Sequence, residues 1–373
     1  MKKMLYILNI ANRVNNFSYT SMKAAQDLGI EYHIAGNWNY ANDQERIEDE
    51  KKYGIHIYQI DFIRNPYHPG NIKAYKQLKK IVEKERFDVI HCNTPIGGVV
   101  GRILGKSCKV PRVIYQAHGF HFYDGSPILN WFVYYPIERF LARYTDVLIT
   151  INHEDYERAK SFKLRNHGSV YYVPGVGIQV NDFLTEYVDV SKKREDLGVP
   201  KNAILLISVG ELNKNKNINT VIEALRIIDD ENIHYLICGE GPMLEYLKEL
   251  SAPITRRIHF LGYRNDIKEL LAASDIFVLS SFREGLSRSL MEAMVVGLPC
   301  IVSGIRGNVD LIEDKELLCD SKNPDSFAQA IVLLSKDRII RNRIGCKNAE
   351  RVKAYSTEVV EDSILKIYKE IFI

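Results

Sequence analysis

The sequence predicts an α/β protein made of two doubly wound, Rossmann-like parallel-sheet domains, and three observations carry that prediction. The 373 residues suit two domains at about 150 residues each. Short β-rich apolar runs alternate with longer amphipathic stretches along the whole chain, as repeated βα units over a parallel sheet require. With 46% hydrophobic and 26% charged residues, each half can bury its own core without disulfides or metals.

The first element is a strand over residues 4–9. The start, MKKMLYILNI, has two lysines before an apolar run, but the run is short, Asn9, Asn12 and Arg13 follow at once, and no small-residue cleavage site appears. Further strands are expected over 32–35, 55–59, 89–92, 112–116, 147–151 and 170–173. In the second half they are expected over 204–209, 234–238, 258–261, 276–279 and 299–302. Helical periodicity marks 73–85, 219–228, 243–250, 266–273 and 287–296. The Pro and paired Gly of YVPGVGIQVNDF, 172–183, read as a hinge. A Ser/Thr-capped amphipathic helix runs over 356–373. The expected organisation is therefore 1–180, 181–355 and a terminal helix, 356–373. Ligands of such sheets bind beyond the carboxyl ends of the strands, which puts the expected site in a cleft between two facing sheets.

Composition excludes several function classes. No run of about 18 apolar residues is present, so no spanning helix is expected. The six cysteines never fall as C-x-x-C, which argues against a zinc knuckle and suits a reducing, cytoplasmic setting. The net charge of +3 divides unevenly. Residues 1–180 hold 24 Lys and Arg against 17 Asp and Glu, net +7, and residues 181–373 hold 26 against 30, net −4. An excess of +7 without a recognition motif does not indicate nucleic-acid binding.

Several motifs fail on inspection. GRILGKS, 101–107, lacks the first glycine of a P-loop, since position 100 is Val100, and it reads as helix interior. The loop after the first strand, IANRVNNF, has no G-x-G-x-x-G. No D-x-D offers a carboxylate clamp for a divalent ion. His118 and His121 form H-x-x-H with no further ligand at suitable spacing, so the expectation is no metal and no cofactor.

The informative stretch is SDIFVLSSFREGLSRSLMEAMVVGLPCIVS, 274–303. A strand ends at Ser280 and Ser281, a loop presents Glu284 and Gly285, and a helix begins near Ser287 with Glu292 about one and a half turns in. Two acids eight residues apart thus address one crevice from different depths. Carboxylates accept paired hydrogen bonds from vicinal hydroxyls of the kind a hexose or ribose presents. Amides at the helix start, near Leu286 and Ser287, suit a phosphate. Either acid alone reads better as a solvated surface group; the ordered strand, E-G loop, E-A-M helix, G-L-P stop and next strand carry the functional reading.

With this run, the segments FDVIHCNTPIGGVVGR (87–102), YQAHGFHFY (115–123), VPGVGI (173–178), SVGELNKNKN (208–217), LICGEGP (236–242) and FLGYRNDIKELLAASDIFVLSSFREG (260–285) span essentially the whole chain. The chain resembles the family 4, retaining, GT-B glycosyltransferases of the bacterial capsular and exopolysaccharide branch. The resemblance implies transfer of a hexosyl group from a nucleoside-diphosphate sugar, UDP being favoured, to a saccharide or polyprenyl-diphosphate-linked acceptor, with anomeric configuration kept. It implies Glu284 on the donor hexose, Glu292 on the ribose and Lys216 on the diphosphate. Gly210, Gly285, Leu286, Ser287 and Arg288 fall in its donor-binding segments, the backbone at Gly262 and Tyr263 meets the base, and His118 reaches the transferred sugar. It also implies a final helix that crosses back to the first domain.

Two departures stand out. Glu211 occupies a position where the family commonly has Arg, so Lys214, Arg288 or Arg306 is expected to supply the missing charge, Arg288 being favoured. The family's glycines are also absent from 11–17. The aromatic cluster over 115–144, including Trp131, Phe132, Tyr134 and Tyr135 beside Arg139 and Arg143, fits either a packed core or peripheral contact with the cytoplasmic face of the inner membrane. Competing functions are a UDP-sugar 2-epimerase on the same fold and a non-catalytic sugar-nucleotide-binding partner subunit.

Overall fold

The computed structural model describes all residues except 15, 40, 94, 184–187 and 373, and of residue 16 only the backbone. Two compact units result, Met1–Gly177 with Thr357–Ile373, and Ile178–Ser356. The sequence placed the junction three residues later and the terminal helix one residue earlier.

The first unit holds seven parallel strands, β1 (Lys3–Ile10), β2 (Glu31–Asn37), β3 (His56–Gln59), β4 (Val89–Asn93), β5 (Arg112–Ala117), β6 (Val147–Thr150) and β7 (Ser169–Tyr172), in the order β3-β2-β1-β4-β5-β6-β7. The second holds β8 (Ile204–Val209), β9 (Ile233–Cys238), β10 (Ile258–Gly262), β11 (Ile276–Leu279), β12 (Cys300–Ser303) and β13 (Leu318–Cys319), in the order β10-β9-β8-β11-β12-β13. Every expected strand is present with ends shifted by at most two residues. Only β13 was not foreseen, because two residues are too short to carry a pattern.

Alternation along the strands explains the layering. Successive side chains of a strand point to opposite faces. Leu5 and Ile7 of β1 accordingly join a core with Ile90, Tyr115 and Leu148, while Met4, Tyr6 and Leu8 join the core on the other face with Ile34, Ile114 and Ile149. The Asn71–Glu85, Ile96–Ser107 and Ile128–Ala142 helices pack on the first of these faces. The Thr357–Phe372 helix packs on the second through Val360, Ile364, Ile367 and Tyr368, so the end of the chain does return to the first unit. The glycines of GRILGKS lie inside the Ile96–Ser107 helix. A Cβ on Gly101 would sit 2.5 Å from the Cβ of Cys92 in β4, so this glycine serves close helix–sheet packing.

Each sheet reverses its strand order once, between β1 and β4 and between β8 and β11. In open α/β sheets the crevice at such a reversal, outside the carboxyl ends of the strands, is where ligands bind. The chemistry-bearing loops identified in the sequence follow these strands or their immediate neighbours, apart from Gly262 and Tyr263, which end and follow the edge strand β10.

Candidate active site

In the second unit the reversal is flanked by the 210–217 loop after β8 and the 280–287 loop after β11. Neutral amides stitch the two together. Asn215 Nδ2 donates to the Arg283 carbonyl at 2.9 Å, and the Phe282 amide donates to the Asn215 carbonyl at 2.8 Å. Asn217 Nδ2 donates to the carbonyls of Ser280 and Ser321 at 3.0 and 2.7 Å. Asn213 Oδ1 accepts from the Lys216 amide at 3.1 Å. The role of these asparagines was not foreseen; their signal was the alternation Asn213-Lys214-Asn215-Lys216-Asn217, in which the amides fix the loop.

A neighbouring loop from β9 supports the same turn. The Leu212 amide donates to Glu240 O at 2.8 Å, and the Gly239 amide to Gly262 O at 2.8 Å. Gly239 must be glycine: its φ is +141°, and a Cβ there would lie 1.9 Å from Gly210 O. Gly210 and Gly262 are thereby placed on one loop cluster, and Tyr263, 74% exposed, stands beside it.

On this frame Lys216 Nζ meets Glu284 Oε1 at 2.7 Å, both side chains being largely shielded. The helix Arg288–Val295 begins after the E-G loop, and the Ser287 side chain caps it by accepting from the Leu290 amide. One turn separates Arg288 from Glu292, and Arg288 Nε meets Glu292 Oε1 at 2.9 Å. The Glu292 side chain is 12% exposed, and burial pushes its carboxyl above the ordinary value, with Arg288 opposing the shift. The sequence placed Arg288 beside Glu284 as the favoured extra cation. Helical geometry instead puts its guanidinium on Glu292, and Arg306, buried, is the arginine that bonds the E-G loop, Nε to Glu284 O at 3.2 Å. Glu211 is exposed and accepts from Asn213 Nδ2 at 3.1 Å, and Lys214 is exposed.

In the first unit His118 directly follows β5. Its Nε2 meets Asn93 Oδ1, at the end of β4, at 2.9 Å. Asn93 is itself fixed: its Nδ2 donates to Ile7 O at 3.2 Å, and Tyr6 Oη donates to its Oδ1 at 3.2 Å. With Asn93 Oδ1 accepting, the His118 proton sits on Nε2. Burial lowers the His118 pKa to about 4, so the ring is neutral at pH 7. The edge of Phe17, from the 11–17 stretch, packs on the imidazole at 5.2 Å between centroids; residue 15 of that stretch lies outside the described residues. His121 turns away and packs on Tyr134 at 4.7 Å. Asn93 was quoted in the sequence motif but given no role; its place at the strand-order reversal was the available signal.

The aromatic cluster divides between the two readings given for it. Trp131, Tyr134 and Tyr135 pack on the core, whereas Ile128, Leu129, Phe132 and Phe140 of the same helix are exposed, Phe132 by 74%. No helix among the described residues is long and apolar enough to cross a membrane. Among those residues, one cluster has the ligand types of a metal site, Glu31, His33 and His56. It lies at the start of β2 and β3, at the opposite end of the sheet from His118, and Lys3 Nζ already stands 3.6 Å from Glu31.

Comparisons with known proteins agree with this architecture. Residues 7–152 match the family model described as glycosyl transferase 4-like, and residues 189–351 the one described as glycosyl transferases group 1. The Bacillus subtilis protein EpsD, named as a glycosyltransferase, is 32% identical over 98% of this chain and 96% of its own length. An Escherichia coli UDP-Gal:alpha-D-GlcNAc-diphosphoundecaprenol alpha-1,3-galactosyltransferase is 31% identical over 72% of each chain. Among solved structures, Anabaena HepE in complex with UDP and glucose superposes with a TM-score of 0.78 at 19% identity, covering 99% of this chain and 100% of that one. The likeness in fold is to GT-B glycosyltransferases.

Proposed function

The chain belongs to the family 4-like, group 1 glycosyltransferases, and from that premise we propose that it moves a hexosyl group from a UDP-sugar to a lipid-linked saccharide, with retention of anomeric configuration, in exopolysaccharide or capsule synthesis. The observation that carries the reading is the Lys216–Glu284 pair on the loops flanking the β8–β11 reversal. The acceptor class follows the Escherichia coli relative, whose named acceptor is a sugar on diphosphoundecaprenol.

The second unit holds the donor. Lys216 and Glu284 keep each other in place until the donor arrives; the diphosphate then takes the ammonium, and the freed carboxylate accepts from the hexose hydroxyls. Glu292 accepts from the ribose diol, with Arg288 opposing the rise that burial imposes on its carboxyl. Tyr263 and the backbone at Gly262 meet the base. As the glycosidic bond breaks, negative charge grows on the diphosphate, and a placed cation stabilises that charge without reorganising. Glu211 adds no such assistance, so Lys216 carries most of it. His118, neutral and held through Nε2 by Asn93, orients the transferred sugar and leaves no fixed positive charge against the oxocarbenium-like carbon.

No side-chain carboxylate acts as nucleophile in this scheme, in contrast to two-carboxylate glycosidases. The donor phosphate accepts the proton of the attacking hydroxyl. We assign no metal or cofactor to the reaction, and we place the protein at the cytoplasmic face of the membrane, in peripheral contact through the exposed apolar face of the Ile128–Ala142 helix and its Arg139 and Arg143. The test is a panel of nucleoside-diphosphate sugars against a sugar-diphosphate lipid, read by mass spectrometry, with the anomeric coupling of the product read by NMR. Transfer from a UDP-sugar with the donor's configuration is expected. An inverted product overturns retention, and acceptor-free epimerisation of a UDP-sugar overturns transfer.

A further inference from the structure

Three helices of the first unit lie on one face of its sheet and leave a groove of about 860 Å³ among them, within the size range of small-molecule sites. Ile72 and Tyr75 line it from the Asn71–Glu85 helix, Ile96 and Val99 from the Ile96–Ser107 helix, and Tyr134 and Ile137 from the Ile128–Ala142 helix. An apolar recess of this extent, open to the surface, is the kind of feature that marks a binding site.

Its lining takes in Asn9, just inside the end of β1, and Gly119, the residue next to His118. It also takes in Tyr67 and Ile72, which are exposed by 70% and 61%. An occupant that is apolar over most of its surface can therefore lie between solvent-facing residues and the neighbourhood of His118. Charge narrows the choice further. The sole carboxylate among the described lining residues is Glu138, and it is engaged, meeting Arg102 Nη1 at 2.7 Å and Tyr115 Oη at 2.9 Å. Arg64 also lines the groove, is exposed, and has no ion pair among the described residues. The lining thus presents an uncompensated cation beside an apolar channel, which complements an anionic head on a hydrocarbon chain.

We propose that this groove binds the first isoprene units and the diphosphate of a lipid-linked acceptor, with Arg64 on the diphosphate. The inference rests on the acceptor class proposed above and adds the place where the lipid lies.

The test is calorimetric titration of the full chain with farnesyl diphosphate in saturating UDP, which occupies the donor site, with inorganic diphosphate as control. Farnesyl diphosphate is expected to bind at least tenfold more tightly than inorganic diphosphate. Val99→Trp, which fills the groove, and Ile72→Ser, at an exposed position, are each expected to weaken farnesyl diphosphate, Val99→Trp by at least tenfold, while far-UV circular dichroism and urea unfolding match the wild type and show that the first unit is folded. Arg64→Ala is expected to weaken it about fivefold at low salt. Wild-type affinity for farnesyl diphosphate in both groove variants overturns the proposal. So does loss of binding to phosphatidylglycerol vesicles by Val99→Trp with farnesyl diphosphate binding intact, since that assigns the groove to bilayer lipid. Tight, groove-dependent binding of farnesyl diphosphate without transfer to any lipid-linked saccharide would instead overturn the acceptor assignment and leave the groove as an isoprenoid site.

Discussion

The two units share one topology and place their candidate residues by the same rule, yet they arrange charge in opposite ways. In the second unit, two acids and two cations pair across and along the loops beside β8 and β11, Lys216 with Glu284 and Arg288 with Glu292. In the first, a single neutral imidazole is held by an amide, next to an apolar groove. A donor carrying a diphosphate needs placed charge, whereas a sugar developing positive character at carbon, and a lipid tail beside it, need charge kept away. The formal charges run the other way, +7 over residues 1–180 and −4 over 181–373. What matters at each site is a few positioned groups, not the sum over a domain.

The contrast can be broken most sharply at Lys216. Lys216→Ala is expected to lower turnover by about 10²–10³-fold, the size of losing one preorganised electrostatic contact to a transition state; steady-state kinetics with saturating donor checks this. Asn93→Ala tests the uncharged side. Losing the anchor of His118 is expected to cost about 10–100-fold in kcat with donor KM little changed, and Asn93→Ala combined with His118→Ala should cost no more than His118→Ala alone. If the double variant is additive, Asn93 acts independently of His118.

Acid stability probes the core of the first unit. His91, buried in the first unit with its Nδ1 2.7 Å from Tyr368 Oη, has its pKa lowered by burial to about 3. Its unfolded value is near 6.5, so its contribution is complete above that pH and is lost as pH falls through 6.5 toward 3, amounting to about 2 kcal/mol at pH 5. Urea unfolding at pH 7 and pH 5 should show the loss, and His91→Gln should reduce it.

The smallest effect is expected at Arg288. Because its guanidinium sits on Glu292, Arg288→Ala should change turnover less than tenfold while raising the Glu292 pKa further. Donor KM should then begin to rise at a higher pH on acidification than in the wild type. Full loss of turnover in Arg288→Ala would restore the role expected from the sequence, a cation on the leaving diphosphate.

The architecture was legible because it rests on local alternation. The strands from Lys3–Ile10 to Cys300–Ser303 each carry enough β-rich apolar residues to show themselves, and β13 does not. The acids Glu284 and Glu292 were legible because loop and helix lie consecutively in sequence. Their partners were less so. Lys216 is 68 residues from Glu284, and only the fold brings its ammonium to that carboxylate. Arg288 was assigned by proximity in sequence to Glu284, but a helix directs position 288 toward 292. The Asn93–His118 contact joins the ends of adjacent strands, β4 and β5, and depends on sheet order, which no single segment contains. The groove depends on the spacing of three helices and leaves no local mark at all.

The most direct test of the donor site compares UDP binding by the wild type, Lys216→Ala and Glu284→Gln in isothermal titration. UDP carries the diphosphate but no hexose, so the account predicts that Lys216→Ala loses affinity by at least tenfold. It predicts that Glu284→Gln, which frees Lys216 from its partner, binds UDP at least as tightly as the wild type while failing to transfer sugar. Equal weakening of UDP in the two variants would contradict the division of labour between the ammonium and the carboxylate.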